Sequence, residues 1–365
     1  MRVFLPLFLL VQLLSRPACA AELERQASEI LGTQAMEEGL LPEERDISGA
    51  LDEGSYDAAG ALKRLWRAFA GDLRQQARDS FAFAAGLLGL VFACSFALAL
   101  CRDEKQRAVI DVCGACAAAG LLLGGVEGLV SDTTAAVFRL SDYSKAALPV
   151  VFTAAAAGGA VSSAAARCAA AELALDVMMS LSQKTVIPLV YAYLALALTG
   201  VVFPDPLLTA VEKLARWAAK TVMTGAVLAF TAYLGITTLI TTAVDAAAVK
   251  TARTVISGAL PVVGGMLADA SAAVLSAANL VKSCAGAFGL VAVCAMCAGP
   301  FALLSVRTFV FKALAAAADS VQSARLQRLF AGVGGAVALL MGLLGSCAVM
   351  LFLSFTIAMK AVTGV

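Results

Sequence analysis

Apolar and polar positions follow one another along this chain in long blocks rather than at single-residue intervals. Five uncharged stretches, Ser80 to Cys101, Ala146 to Ala166, Thr185 to Pro204, Thr221 to Val244 and Ser283 to Val306, each run for about 20 residues or more. That is the length a helix needs to cross roughly 30 Å of hydrocarbon at 1.5 Å per residue. A sixth, Leu329 to Met359, is longer than one straight crossing requires and is expected to tilt or break near Gly342 or Gly345. Two further stretches are interrupted. Val109 to Val130 carries Asp111 and Glu127 near its ends and Gly120, Gly124 and Gly128 at four-residue spacing. This stripe would let two helices approach closely, so the segment is expected to be a span packed inside the bundle. Thr254 to Val281 is broken by Pro261, Gly264-Gly265 and Asp269. It is expected to be either a discontinuous span or a re-entrant pair, with Pro261, Gly264, Gly265 and Asp269 as candidates for lining a polar path. For Asp269, a helix cap or an ion pair with Lys282, Lys250 or Arg253 is the structural alternative.

Polar segments set the ends of this array. Arg2, the apolar run Val3 to Leu14 and the Ala18-Cys19-Ala20 triplet form the pattern of a cleavable secretory signal over residues 1–20. Residues 21–79 hold 13 of the 26 acidic side chains against 7 Lys/Arg and are expected to be an acidic, helical, extracytoplasmic region. Within it Leu62, Leu65, Trp66, Phe69 and Leu73 recur at helical spacing opposite Lys63, Arg64, Arg67 and Arg74. Such a helix either lies in the headgroup plane or packs on its neighbours. Leu207 to Lys220 is a similar amphipathic connector, with Trp217 as an interfacial anchor. Residues 80–365 form the membrane domain. If Thr254 to Val281 crosses, eleven Lys/Arg fall on the cytoplasmic side and seven in the outer loops and tail; otherwise the tally is nine and nine. The positive-inside rule therefore leans towards eight crossings. The expected fold is an all-α polytopic membrane bundle of about seven or eight transmembrane helices behind a cleaved signal peptide.

Composition agrees and narrows the chemistry. The chain of 365 residues is 61% hydrophobic and 15% charged, against roughly 45–50% and about 25% in soluble domains. A net charge of +1 without a basic tail leaves no electrostatic footprint for nucleic acid. Histidine is absent, which removes H-E-x-x-H metalloprotease and Ser/His hydrolase chemistry. There is no Walker A sequence and no strand-linked G-x-G-x-x-G. Asp111, Glu127, Asp245 and Asp269 could supply a carboxylate pair, but no motif orients them. Cys113-x-x-Cys116 and Cys294-x-x-Cys297 have metal or redox spacing without the polar context that would support it. No catalytic, cofactor-binding or metal-binding residues are expected.

The run from Asp245 through Lys250 to Thr254-Val-Ile-Ser-Gly-Ala-Leu-Pro-Val-Val-Gly-Gly-Met-Leu-Ala-Asp269, then Asn279-Leu-Val-Lys282 and Gly286-Ala-Phe-Gly289, resembles the stage III sporulation protein AE family. The resemblance implies an endospore-forming bacterium and a multi-pass protein of the mother-cell membrane facing the engulfed forespore. It implies a non-enzymatic, export-apparatus-like or permease-like component of a secretion-like channel that sustains forespore development. Its implied partners are membrane lipid, a separate ATPase subunit and ring-forming proteins of the same assembly, with homo-oligomers possible. A stand-alone small-solute transporter with its site at Pro261 to Asp269, and a membrane scaffold without transport, are the readings from other classes.

Overall fold

The computed structural model describes residues 33–49, 57–101, 103–157, 161–203, 205–259, 264–321 and 323–360. Within these, the side-chain surroundings of 33–35, 58, 154–157, 161–167, 238–259, 264–283 and 359–360 are not described. The expected signal peptide lies outside the described residues.

Two short helices precede the bundle, α1 (Thr33–Glu38) and α2 (Pro42–Ser48). Pro42 opens α2 at a position whose N–H would have no helical partner in any case. The Glu44 carboxylate accepts the Leu41 N–H at 2.8 Å and so satisfies an orphan donor at the helix start. Gly49 ends α2 with φ +77°, a left-handed value that suits a residue without Cβ.

Six long rods follow. They are α3 (Ala58–Leu100), α4 (Glu104–Ala157), a composite of α5 (Val161–Leu181), a π-helical segment (Ser182–Val186) and α6 (Ile187–Val202), then α7 (Pro206–Ala259), α8 (Gly264–Ser320) and α9 (Ala324–Lys360). Asp57 caps α3 by accepting the Gly60 N–H at 2.9 Å. The π segment stands just before Pro188. A proline removes one i→i−4 hydrogen bond and its ring crowds the preceding turn, and a widened turn is a common way to absorb both. Among the described residues there is no strand, and all six rods contain a window long and apolar enough to cross a membrane.

Neighbour contacts fix the register. Cys94 lies against Gly114 and Phe83 against Gly125, so α3 and α4 run antiparallel. Phe301 lies against Gly345, Phe311 against Gly334 and Phe355 against Gly289, which makes α8 and α9 antiparallel. Gly332 meets Ala197, and Gly335 meets Tyr193, setting α9 antiparallel to α6. The connections at 101–103, 203–205 and 321–323 gather at one end, here the turn pole. In their most apolar windows α8 and α9 bury 56% of residues, whereas the other rods bury 33% or less, so α8 and α9 form the centre. Phe288, Phe311, Phe330 and Phe355 fill it. Phe81, Phe92, Phe96, Leu123 and Phe309 point outward and are exposed. Lipid, not water, suits such a surface.

Helix length changes the expected organisation. α4, α7 and α8 have 54, 54 and 57 residues, about 81 to 86 Å at 1.5 Å per residue and well over twice the hydrocarbon thickness. Val109 to Val130 and the start of Ala146 to Ala166 share the single helix α4, and Thr254 to Val281 is divided between the end of α7 and the start of α8. The described residues therefore form six rods long and apolar enough to cross, where the sequence blocks suggested seven or eight. Leu329 to Met359 is unbroken within α9, without an interruption at Gly342 or Gly345. The expected boundary at 79/80 falls inside α3, and the amphipathic stretch from Leu62 is the first part of that helix. It runs alongside α8, with Leu62, Trp66 and Leu73 exposed. Leu62, Leu65, Trp66 and Phe69 line a groove of about 720 Å³ with Cys294, Cys297, Phe301 and Phe352 of α8 and α9. Leu207 to Lys220 likewise forms the first turns of α7.

Candidate functional site

Between helices in lipid, close approach matters more than transfer from water, because the surrounding tails are as apolar as the core. The glycines that provide it are on α9. A Cβ at Gly332 would stand 2.8 Å from the Cβ of Ala197, one at Gly334 3.1 Å from Phe311, and one at Gly335 would collide with the Tyr193 hydroxyl. Gly289 meets Phe355 in the same way. Gly120, Gly124 and Gly128 do not do this: a Cβ at each meets nothing within 4 Å, and all three are exposed. The expectation that they pack α4 into the bundle is therefore corrected; the stripe faces outward. The Gly332-Val-Gly334-Gly335 run carried the better signal, since it presents small residues towards two neighbours at once.

At the turn pole, three connections are tied together through Asp111 near the start of α4. Its Oδ1 accepts the Ser323 hydroxyl at 2.5 Å, and Oδ2 lies 3.3 Å from Arg325 Nε. The same guanidinium donates to the carbonyls of Val201 at 2.7 Å and Val202 at 3.2 Å. These are carbonyls at the end of α6 that have no helical partner, and a cation there also complements the helix dipole. Asp111, Arg107, Ser95 and Ser320 line a polar cavity of about 460 Å³ beside this knot.

Other polar groups lie at depth in the rods. Arg307 stacks on Phe83, its Cζ 4.6 Å from the ring centroid, within electrostatic reach of Asp79. In the π segment, Ser182 Oγ and Gln183 Nε2 are buried with no hydrogen-bond partner among the described residues. Glu127 is exposed on α4 and borders an apolar cavity of about 240 Å³ lined by Leu194, Ala195 and Leu198 of α6 and Val333 of α9. On the other side of α6, the Tyr193 hydroxyl stands within electrostatic reach of Glu212 of α7. At the opposite end from the turn pole, Arg139 of α4 holds Glu44 of α2 at 2.6 Å, and Lys145 of α4 pairs with Asp176 of α5 at 3.4 Å.

The path-lining candidates are not brought into a described site. Pro261 lies outside the described residues; Gly264 and Gly265 open α8, and Asp269 sits in its second turn, with its side-chain surroundings undescribed. Among the described residues no group of three or more Cys, Asp or Glu side chains converges as a metal site, and the nine described cysteines are free thiols. The described polar groups form helix-locking contacts and isolated sites at depth, and among the described residues no nucleophile, base and oxyanion donor converge.

No curated protein and no solved structure matches the chain. One family model does, described as stage III sporulation protein AE, over residues 53–362. That match takes in all six rods, and the family is one of sporulation membrane proteins and not a known enzyme family. The chain belongs to the stage III sporulation protein AE family.

Proposed function

We propose that this protein is a non-enzymatic, multi-pass component of a channel or export assembly in the mother-cell membrane facing the forespore, supporting forespore development after engulfment. The observation that carries the reading is helix length. Rods of 54 to 57 residues exceed one bilayer by about 50 Å. At the end away from the turn pole α2 is held by Arg139. A projection of that kind suits a protein that meets partners beyond its own membrane. Lys105, Arg107, Arg325 and Arg328 stand near the short connections of the turn pole, which by the positive-inside rule orients it to the cytoplasm. The far ends then face the space between the two membranes, on the side to which a signal peptide would deliver the amino-terminal region. Ring-forming proteins would be met there, and a separate ATPase on the cytoplasmic side.

The test is affinity purification of tagged full-length chain from crosslinked sporulating cells. Recovery of an ATPase and ring-forming proteins in stoichiometric amounts supports the assembly. Recovery of neither, together with solute transport by the purified chain alone in liposomes, would replace it with the stand-alone transporter.

A further inference from the structure

The seam between α3 and α8 is open on both sides of Ser305. On one side lies the groove of about 720 Å³ beside Trp66. On the other, a second apolar cavity of about 480 Å³ is lined by Leu73, Phe81 and Leu88 of α3 and by Phe309 and Leu314 of α8. From Leu62 to Leu88 the seam follows about 39 Å of helix.

The larger groove is apolar apart from two cations. Lys63 and Arg67 stand on its α3 lip, both exposed and neither with an ion-pair partner among the described residues. No carboxylate is among the lining residues. Arg74 and Arg78 continue the same exposed stripe of α3 at helical spacing. The opposite walls fix the surroundings. Cys294, Cys297 and Phe301 belong to the uncharged stretch Ser283 to Val306, and Ala348 and Phe352 to Leu329 to Met359. The two cations therefore share a groove with segments that belong in a membrane, where an unpaired charge is costly. A cover that suits both must be anionic at one end and apolar along the rest.

Width decides between a lipid and a partner helix. Cys294 to Ser305 spans about 17 Å, which gives the groove a mean cross-section of about 40 Å². A helix about 10–12 Å across needs about 80 Å² or more. The groove takes hydrocarbon chains and does not admit a second helix. Trp66, exposed beside the cations, is the kind of side chain that sits where acyl chains meet headgroups.

We propose that this seam holds an anionic phospholipid, its phosphate on Lys63 and Arg67 and its acyl chains laid past Trp66 and Phe301 towards Ser305 and the second cavity. The lipid pairs both cations, covers the apolar walls, and bridges α3 to the central helices α8 and α9. A free phosphate would satisfy the cations alone and leave the apolar walls uncovered.

Trp66 and Trp217 are the two tryptophans of the chain, so in a Trp217→Phe background the emission reports on the groove. The full-length chain in neutral detergent can be titrated with phosphatidylglycerol or phosphatidylcholine carrying brominated acyl chains, which quench tryptophan on contact. Saturable quenching is expected, half-complete at about 25-fold less phosphatidylglycerol than phosphatidylcholine, since each basic side chain at an anionic surface contributes about five-fold. Lys63→Gln combined with Arg67→Gln should remove that preference. Ala298→Leu and Ala348→Leu each narrow the groove and should weaken quenching by both lipids, with helix content unchanged. Equal quenching by both lipids in the parent chain, quenching that rises with lipid without saturating, or a double Gln variant that keeps the preference would overturn the proposal. So would unchanged quenching in both Leu variants, which would put the acyl chains outside the groove.

Discussion

Replacing Arg325 tests whether the turn pole is held by one side chain. The guanidinium makes an ion pair with Asp111 and donates to the Val201 and Val202 carbonyls, with about a quarter of its side chain exposed. Arg325→Met keeps most of the stem packing and removes every donor. A hydrogen bond to a charged group is worth about 1.5–3 kcal/mol, and partial exposure places these at the lower end. The orphaned carbonyls regain some water at the pole, so the net loss is expected at about 2–3 kcal/mol. Asp111→Asn should lose about 1 kcal/mol, because the amide oxygen can still accept from Arg325 while the amide NH2 donates to the Ser323 hydroxyl oxygen. The double variant should fall short of the sum, since the two residues share one contact. Unfolding in mixed micelles of rising SDS fraction, followed by labelling of the buried thiols Cys94, Cys297 and Cys347, measures all three. A loss under about 0.5 kcal/mol for Arg325→Met, within the range of ordinary surface changes, would refute the assignment of the lock to this residue.

Three other outcomes follow from the packing. Gly335→Val places a branched side chain against the Tyr193 ring and should destabilise by about 1–3 kcal/mol in the same assay, an overpacking effect; a neutral result would mean that α6 and α9 are not in close contact there. Glu44→Gln removes the carboxylate that holds Arg139 and the Leu41 N–H; the residues of α1 and α2 should then be cut faster by added protease, with α3 to α9 untouched, and an unchanged cleavage rate would count against docking of α2 on α4. In detergent, a maleimide should modify the exposed Cys113 and Cys116 first and the buried Cys297 and Cys347 last; mass spectrometry of the reverse order would contradict the placement of α4 at the surface and of α8 and α9 at the centre.

How far the fold was legible varies with the element. Ser283 to Val306 and Leu329 to Met359 announce themselves as apolar helix, because no other element satisfies backbone groups in lipid. Whether such a block reverses or continues is a different matter. Ala146 to Ala166 reads as one span, yet its first part prolongs α4 and its last part begins α5. Apolar content is the same on either side of the junction, so nothing in composition marks the break. The lock at Asp111 was equally hidden, since Ser323 and Arg325 lie more than 200 residues away along the chain.

The small-residue pattern shows the same division. Four-residue spacing of Gly120, Gly124 and Gly128 states that one face of α4 is narrow; which neighbour lies opposite depends on how the rod is rotated in the bundle. Sequence alone determined that this chain is helical, that it belongs in a membrane and that it lacks histidine-based chemistry, because those follow from the cost of wetting apolar blocks and from which side chains exist. Only the tertiary structure decided where each rod ends, which glycines touch a neighbour and which side chains lock the turn pole, because these depend on contacts between segments distant in the chain that no local pattern encodes.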